Sequence, residues 1–418
     1  RAEGRFSDMG IVPMVCVGPG VGAQAAHSLP TRAKRVASLH APVSACMGVP
    51  VVVGVSATSE YPPSFTGGWT KKTVGSVFSG DTKSTIRPLP ISRMEAKMAQ
   101  RVAIVGAGPG GLAASMLLAA RGLEVDVYEA SADVGGRTQT WEQDGYRFDL
   151  GPTFFLYPRV LEEIFEECGH PLREEVDLVQ VNPQYRLAFE GRGHIDATPD
   201  VDSMERQIAA LAPGQEGGFA RFLEDNKRKL ARARPILERA FPGLHSFFAL
   251  DVLRALPQMR PWSVDQELKK YFSDPLIRIA FSFQSKYLGM SPYQCPSLFT
   301  ILAFLEYEFG VHHPVGGFGQ ISEAMRRVAE QHGARFHLGV PVTGLQFEGR
   351  RVRAVESSLG CRDYDAVLIN GDFGRVVPAL VPDHLRKRWS DRRVEQAKYS
   401  CSTFMLYLGI EGFEDQLP

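Results

Sequence analysis

Residues 101–111 read RVAIVGAGPGG, and among the segments of this chain they are the most informative about its fold. The apolar run 102–105 predicts a short strand that enters a loop with Gly106, Gly108 and Gly111. Residues 112–121 then read as a helix, and a second apolar strand, 125–128, ends on Glu129. A strand, a Gly-x-Gly-x-x-Gly loop, a helix and an acid in this order predict a dinucleotide-binding βαβ unit.

Each part of this unit has a physical task. Gly106 permits the tight turn, Gly108 lets the backbone approach a diphosphate, and Gly111 lets the helix pack closely on the strand. Free N–H groups at the start of the helix meet the phosphate charge, and the carboxylate of Glu129 accepts hydrogen bonds from ribose hydroxyls.

The residues after Glu129 favour a flavin over a nicotinamide. Gly135-Gly136-Arg137 and the stretch GYRFDLGPT at 145–153 continue the pattern. A nicotinamide must come and go, whereas a flavin dinucleotide is held along its length, so more of the early chain must fold around it. Because two glycines bring the backbone close, the guanidinium of Arg137 can reach the diphosphate oxygens with paired hydrogen bonds. The alternative interpretation is a surface charge after a turn.

Several of these segments resemble a known superfamily. GAGPGGL (106–112), VYEAS (127–131), GGRTQT (135–140) and YRFDLGPT (146–153) resemble the N-terminal signature of FAD-dependent amine oxidases and phytoene desaturases. Two later segments, FSFQSKYLGMSP (281–292) and HPVGGFG (313–319), are similar to bacterial-type phytoene desaturases and not to amine oxidases. The resemblance covers about residues 99–418.

This resemblance implies an α/β fold, with a Rossmann-like FAD-binding domain interleaved with an α+β substrate domain. We predict that residues 98–185 and 313–400 form the FAD-binding domain and that 186–312 form the substrate and membrane-contact domain. Residues 320–330 should be a helix, 334–339 and 342–347 strands returning to the nucleotide domain, and 364–372 its next strand and turn. The implied cofactor contacts are Gly106, Gly108, Pro109, Gly110, Gly111, Glu129, Ala130, Gly136, Arg137, Gly151, Pro152, Thr153 and Val342.

The resemblance also implies the reaction, an FAD-dependent desaturation of a linear carotenoid precursor such as phytoene. A hydride would pass from an allylic carbon to the flavin N5, and the neighbouring carbon would lose a proton. A polyene has no hydrogen-bonding group, so its binding must rest on buried apolar area, at about 25 cal/mol per Å². The electron acceptor, a quinone or oxygen, stays open, and so does the identity of the carotenoid precursor.

No catalytic base is assigned from the sequence. Asp149, Lys286, Tyr287 and Glu306 lie in family-like segments, but each also reads as a structural partner. Two alternatives to a desaturase stay open. One is an amine oxidase on the same fold, and the other is a truncated chain that binds no flavin.

Composition excludes some classes of function. The chain has 47 Lys and Arg against 47 Asp and Glu, so there is no bulk electrostatic attraction to nucleic acid. Its six cysteines form no CxxC pair, which argues against a structural zinc site and a disulfide framework and favours a reducing, cytoplasmic compartment. His312 and His313 have no further ligand pattern around them, so we expect loop residues and no metal site.

One segment suggests a membrane surface. Residues 241–256, FPGLHSFFALDVLRAL, are rich in aromatic and apolar side chains and lie near Arg239, Arg260 and Trp262. Such a segment can lie in the plane of the membrane interface, which predicts a peripheral membrane protein. The alternative is a buried helix of the substrate domain. No apolar run in the sequence is long enough to span a bilayer.

The two ends of the chain differ from the rest. Residues 1–97 show no sustained periodicity, and we predict a disordered or non-native extension before a start at Met98, with Met94 as the alternative. A transit peptide is a weaker interpretation, since Arg- and Ser-rich periodicity is missing. Residues 401–418 should begin a substrate-domain strand. The family's last glycine-rich strand and helix have no counterpart, so we expect a fragment whose flavin ring would be exposed.

Overall fold

The structure is a computed structural model that describes residues 51–53, 100–237, 261–386, 388–397, 399 and 405–409. The predicted membrane-contact segment, 241–256, lies outside the described residues, and so do 1–50 and 54–99.

The strands, in chain order, are β1 (Val51–Val53), β2 (Arg101–Val105), β3 (Glu124–Tyr128), β4 (Thr140–Gln143), β5 (Tyr146–Asp149), β6 (Phe155–Leu156), β7 (Leu178–Val181), β8 (Tyr185–Phe189), β9 (Gly193–Ala197), β10 (Val311–Pro314), β11 (Arg335–His337), β12 (Val342–Glu348), β13 (Arg351–Ser357), β14 (Gly360–Asp363) and β15 (Ala366–Ile369). The helices are α1 (Pro109–Ala120), α2 (Arg159–Glu167), α3 (Leu172–Glu175), α4 (Val201–Leu211), α5 (Gly218–Leu237), α6 (Val264–Leu268), α7 (Pro275–Ala280), α8 (Ile301–Phe309), α9 (Gly319–Gln331), α10 (Phe373–Leu380) and α11 (Asp391–Glu395).

The predicted βαβ unit forms the centre of a five-stranded sheet, in the order β1-β15-β2-β3-β11. Strands β15, β2, β3 and β11 are mutually parallel. A parallel sheet is covered on both faces, which explains why β2 and β3 are buried after their first residues and, apart from Asp126, apolar there. The Rossmann-like fold class is therefore confirmed, as are the helix at 320–330 and the strand after 364.

The first strand was not predicted. Val51–Val53 pairs antiparallel with β15, Val51 opposite Ile369, so the prediction that residues 1–97 lack regular structure is wrong at these three positions. Three consecutive β-branched residues favour an extended backbone, and their pairing covers the otherwise open edge of β15.

Strand β12 does not return to the parallel sheet. The strand predicted at 342–347 is confirmed, and it lies outside the parallel sheet, because β12, β13 and β14 form a separate antiparallel meander. Its buried residues Val352 and Val355 share a core with Val367 and Ile369 of β15. The meander therefore covers one face of the parallel sheet, and its apolar alternation serves that packing.

Helices cover the opposite face of the sheet. Leu112 and Met116 of α1 and Phe165 of α2 are fully buried there, with Met325 and Val328 of α9. This core fixes the start of α1 relative to α2 and α9, which is where the site lies.

A second, aromatic core lies in the region predicted as the substrate domain. Phe219, Phe222, Phe272, Phe281 and Phe304 are buried together between α5, α7 and α8. The antiparallel sheet β6-β10-β7 lies between this core and the nucleotide-binding part. The domain boundaries themselves stay a prediction.

Two further expectations are wrong. His312 and His313 lie on strand β10 and not in a loop, because this segment pairs with both β6 and β7. Residues 405–409 form no regular strand. They lie instead against the β4–β5 hairpin, where the Tyr407 hydroxyl donates to the Leu150 carbonyl at 3.0 Å and the Tyr407 ring meets Phe148 edge-on.

Candidate functional site

The glycine loop has the geometry that a diphosphate needs. Gly106 has φ +101°, and its N–H donates to the Tyr128 carbonyl at 2.8 Å. Helix α1 begins after Gly108 with no side-chain cap and no acid in its first turn. Its first N–H groups therefore remain available to an anion. A Cβ on Gly111 would lie 2.1 Å from the Gly106 carbonyl oxygen, so only glycine permits this close approach.

Glu129 lies at the end of β3 beside the loop, as predicted. One carboxylate oxygen accepts from the Ala107 N–H at 2.7 Å and the other from the Ser131 N–H at 2.9 Å. A carboxylate offers about four lone-pair positions, so both oxygens keep capacity for ribose hydroxyls. The sequence argument missed that Glu129 also braces the loop.

The second glycine motif lies against the first. The Gly135 N–H donates to the Ala107 carbonyl at 2.8 Å, and a Cβ on Gly136 would lie 3.6 Å from the Gly108 Cα. Arg137 follows on the surface, and its guanidinium makes no ion pair or hydrogen bond with the part of the chain that the structure describes. A free cation beside an anion cradle can bind diphosphate oxygens.

Gly151 joins this group from the β5 side. A Cβ at this position would lie 2.1 Å from the Arg137 carbonyl oxygen, so Gly151 packs directly on the Arg137 backbone. Pro152 and Thr153 follow, exposed, and the Thr153 carbonyl accepts from His313 Nδ1 at 2.7 Å.

An ion-pair cluster fixes strand β11, and with it Val340, beside the strand that ends at Glu129. The fully buried Asp126 of β3 accepts both Nε and Nη2 of Arg335 at 3.0 Å and Nε2 of His337 at 2.8 Å. Burial alone would raise the pKa of Asp126, but these hydrogen bonds lower it to about 2. Strand β11 is thereby fixed beside β3, and the Val340 N–H then donates to the Glu129 carbonyl at 2.8 Å.

Asn370 is a site residue that the sequence argument did not assign. It follows β15, whose neighbour is β2, and its side chain lies over the first turn of α1. A Cβ on Gly108 would lie 3.4 Å from Asn370 Nδ2, and one on Gly111 would lie 3.1 Å away. The signal was available, because the carboxyl ends of neighbouring parallel strands share one edge of a sheet.

An apolar cavity of about 490 Å³ adjoins the loop. Pro109, Gly110 and Ala113 of α1 form one wall, and α2, β6 and α9 form the others. Three polar side chains reach its lining, and all three bond to other protein groups. Thr138 and Ser322 share a 2.9 Å hydroxyl pair, and the Tyr157 hydroxyl accepts from Arg159 Nη1 at 2.9 Å.

Asp149, one of the side chains considered as a base, has a structural role. Its Oδ1 accepts from the Thr140 hydroxyl at 2.6 Å and from the Phe318 N–H at 2.8 Å, which ties the β4–β5 hairpin to the start of α9. Lys286 is exposed, and its Nζ lies 4.8 Å from the centre of the Phe283 ring.

Burial holds the pKa of His312, on β10, below its usual value. Within the described ranges, no group of three His, Cys, Asp or Glu side chains suits a metal ion.

These residues fit a dinucleotide cofactor. At Gly111 and Gly151 the backbone comes so close to neighbouring backbone that there is no room for a Cβ. The first turn of α1 contains no acidic residue, and the guanidinium of Arg137 lies beside this group of glycines. The predicted contacts at 106, 108–111, 129–130, 136–137 and 151 lie together. The roles of these residues and of Pro152, Thr153 and Val342 in binding the cofactor stay predictions.

The site can now be set beside known proteins. The family model described as flavin containing amine oxidoreductase matches residues 109–402. The 4,4'-diapophytoene desaturase (4,4'-diapolycopene-forming) of Methylomonas sp is 38% identical over 318 residues, which are 76% of this chain and 62% of that protein. The all-trans-zeta-carotene desaturase of Myxococcus xanthus is 35% identical, with the same two coverages. The chain thus spans about 62% of the length of these curated relatives.

Among solved structures, an oxidoreductase from Methanosarcina mazei is similar with a TM-score of 0.45 and 21% identity. That similarity covers 67% of this chain and 61% of the other.

Proposed function

Since the chain belongs to the flavin containing amine oxidoreductase family and FAD is its cofactor, we propose that it desaturates a linear carotenoid precursor such as phytoene or diapophytoene. Named relatives at 38% and 35% identity are carotenoid desaturases, which supports this substrate class over an amine.

The observation that carries the proposal is the apolar cavity beside the loop. Its lining is mostly apolar, includes no charged side chain, and has three hydroxyls that each already bond to another protein group. A charged amine entering the cavity would lose hydration and find no counter-ion in the lining, whereas a hydrocarbon gains about 25 cal/mol per Å² of buried area. The cavity therefore favours part of a polyene chain.

The residues of the chain divide the work between holding the cofactor and placing the substrate. When bound, FAD supplies the two-electron acceptor for the dehydrogenation. The α1 N-terminus, Arg137 and Asn370 hold the diphosphate, and Glu129 holds a ribose. The apolar walls exclude water and fix the hydrocarbon, because placement against the cofactor decides which carbon reacts.

Expression of the full open reading frame in cells that make phytoene, and separately in cells that make diapophytoene, tests the proposal. Pigment extracts are analysed for products with more conjugated double bonds, and the purified protein is assayed for peroxide release from amines. Coloured polyene products are expected, and amine-dependent peroxide without pigment would overturn the proposal.

A pair of variants links the activity to the cavity. Val160 lines it and is 47% exposed, while Val179 has a similar exposure of 41% on β7 and does not line it. We expect Val160→Trp to lower pigment formation at least tenfold while FAD stays bound, and Val179→Trp to keep both. Equal activity of the two variants would separate the reaction from this cavity.

Peripheral membrane contact in the cytoplasm belongs to the same proposal, because a polyene precursor dissolves in the bilayer. Ile279 and Met290 are exposed apolar side chains of the substrate region. Among the described helices, none combines the length and apolar character needed to cross a membrane. Co-sedimentation of the protein with liposomes tests the membrane contact.

The electron acceptor is either a quinone or oxygen. Comparing how fast each of the two reoxidises the reduced protein tests which one serves.

A further inference from the structure

A buried carboxyl lies in the substrate region outside the cofactor site. Glu306 of α8 is fully buried and accepts three hydrogen bonds. The donors are the Tyr185 hydroxyl at 2.7 Å, Gln284 Nε2 at 2.9 Å and the Tyr287 hydroxyl at 2.9 Å. Among the described residues this carboxyl forms no ion pair, and its three hydrogen bonds all come from neutral donors.

Tyr287 lies between this carboxyl and the segment 153–156. Its ring is partly accessible and meets the Phe154 ring edge-on, with centroids 6.1 Å apart. Phe154 directly follows Thr153, a predicted cofactor contact, and directly precedes Phe155 and Leu156 of the cavity wall. Tyr185, by contrast, donates to the other carboxylate oxygen from β8.

The surroundings of Glu306 suit both of its protonation states. Gln284 Oε1 is buried and has no hydrogen-bond partner among the described residues. A half-turn of this carboxamide would present Oε1 as an acceptor to a protonated Glu306, in place of the Nε2 donor. Burial raises the pKa of Glu306, and the other titratable groups facing it are Tyr185, Tyr287, Tyr307 and, farther away, Lys286.

We propose that Tyr287 and Glu306 form the proton acceptor of the desaturation, an inference that rests on the proposed function. Bound FAD would supply the two-electron acceptor that takes one C–H of the substrate as hydride. Tyr287 and Glu306 would take the neighbouring hydrogen as a proton, which passes to the Tyr287 oxygen while the Tyr287 hydroxyl proton moves to the Glu306 carboxylate. The substrate would gain a C=C bond, and Glu306 would end protonated, to be deprotonated by water between turnovers.

The test uses the full-length holoenzyme mixed anaerobically with polyene substrate, and follows the loss of oxidised-flavin absorbance between pH 5 and pH 9. Glu306→Gln keeps the size of the side chain but cannot take the proton, and Tyr287→Phe keeps the ring against Phe154. A general base contributes about 10² to 10⁴ in rate, so both variants should reduce flavin at least a hundredfold more slowly. The wild-type rate should fall with falling pH as Glu306 becomes protonated, and Glu306→Gln should lose this dependence.

Two tyrosines serve as controls. Tyr185→Phe removes a donor from the same carboxylate outside the relay, so it should keep the plateau rate and move the acidic limb to higher pH. Tyr293→Phe removes an exposed hydroxyl from a neighbouring turn and should match the wild type. Melting temperature and FAD content are measured for every variant.

The outcomes separate the two proposals. Wild-type holoenzyme that no polyene reduces overturns the proposed function and the relay with it. Active wild type with unchanged Glu306→Gln, or with equal losses in Tyr185→Phe and Tyr287→Phe, overturns the relay alone and leaves the cluster a structural one.

Discussion

Two neighbouring glycines at the start of α1 should respond differently to the same substitution. A Cβ on Gly111 would lie 2.1 Å from the Gly106 carbonyl oxygen, and approaches under 3.0 Å do not occur without a shift. The loop backbone must therefore move by about 1 Å. A Cβ on Gly110 meets only the end of the Asn370 side chain, at Oδ1, and a side-chain rotation relieves that contact.

The magnitudes follow from these contacts. Alanine gains about 1 kcal/mol over glycine in a helix, and the rotation of the Asn370 side chain offsets part of this gain. The free energy of unfolding of Gly110→Ala should therefore differ little from that of the wild type. Overpacking against backbone costs about 1–3 kcal/mol, and the displaced loop should weaken FAD binding at least tenfold in Gly111→Ala, about 1.4 kcal/mol. Titration of apoprotein with FAD, followed by quenching of flavin fluorescence, measures both variants. Equal FAD affinity of Gly111→Ala and Gly110→Ala would refute the close-approach argument.

Three further substitutions test other parts of the structure. Asn370→Asp places a negative charge over the first turn of α1 and should lower FAD affinity about tenfold, measured by the same titration, with the loss smaller at high salt. Asp126→Asn should remove about 2 kcal/mol of stability at pH 7, because the pKa of Asp126 falls from 3.8 to about 2 on folding. That stabilisation is present above about pH 4 and lost as pH falls toward 2. The free energy of unfolding, measured with urea, should therefore change less with pH in the variant than in the wild type over this range. Lys229→Met removes a buried cation whose Nζ donates to the Thr300 hydroxyl at 2.7 Å and lies 3.4 Å from Glu267 Oε1. Glu267 keeps Lys270 at 2.7 Å, so the substitution should cost about 2 kcal/mol in the same assay, the value of lost hydrogen bonds to a charged group.

The sequence was sufficient where the contacts are local. Strands β2 and β3, helix α1 and the acid Glu129 lie within 29 residues of one another, and each has its own pattern of glycines or buried apolar residues. Ala107 donates its N–H to Glu129 and accepts at its carbonyl from the Gly135 N–H. All three residues lie between positions 107 and 135. Local order in the sequence therefore predicted the βαβ unit and the position of Glu129 beside its loop.

The sequence was insufficient where a strand's partner is distant. The alternation in 342–347 is equally compatible with either sheet, and only the packing of Val352 and Val355 on β15 decides for the meander. The histidines of β10 have no strand-like composition of their own, and pairing with β6 and β7 gives them their conformation.

The same reasoning explains why a residue for proton transfer could be suspected but not assigned. Glu306 is 121 positions from Tyr185 and 19 from Tyr287, and no periodicity links three such positions. As single residues, each reads as a structural partner. Together they form a buried carboxyl that accepts from neutral donors, one of which lies against the residue that follows Thr153. Tertiary contact thus converts ordinary core residues into a candidate acid–base pair, and the distinction between Tyr185 and Tyr287 exists only in that contact. For this reason the comparison of Tyr185→Phe with Tyr287→Phe is more informative than removal of Glu306, which would disturb a buried cluster under either interpretation.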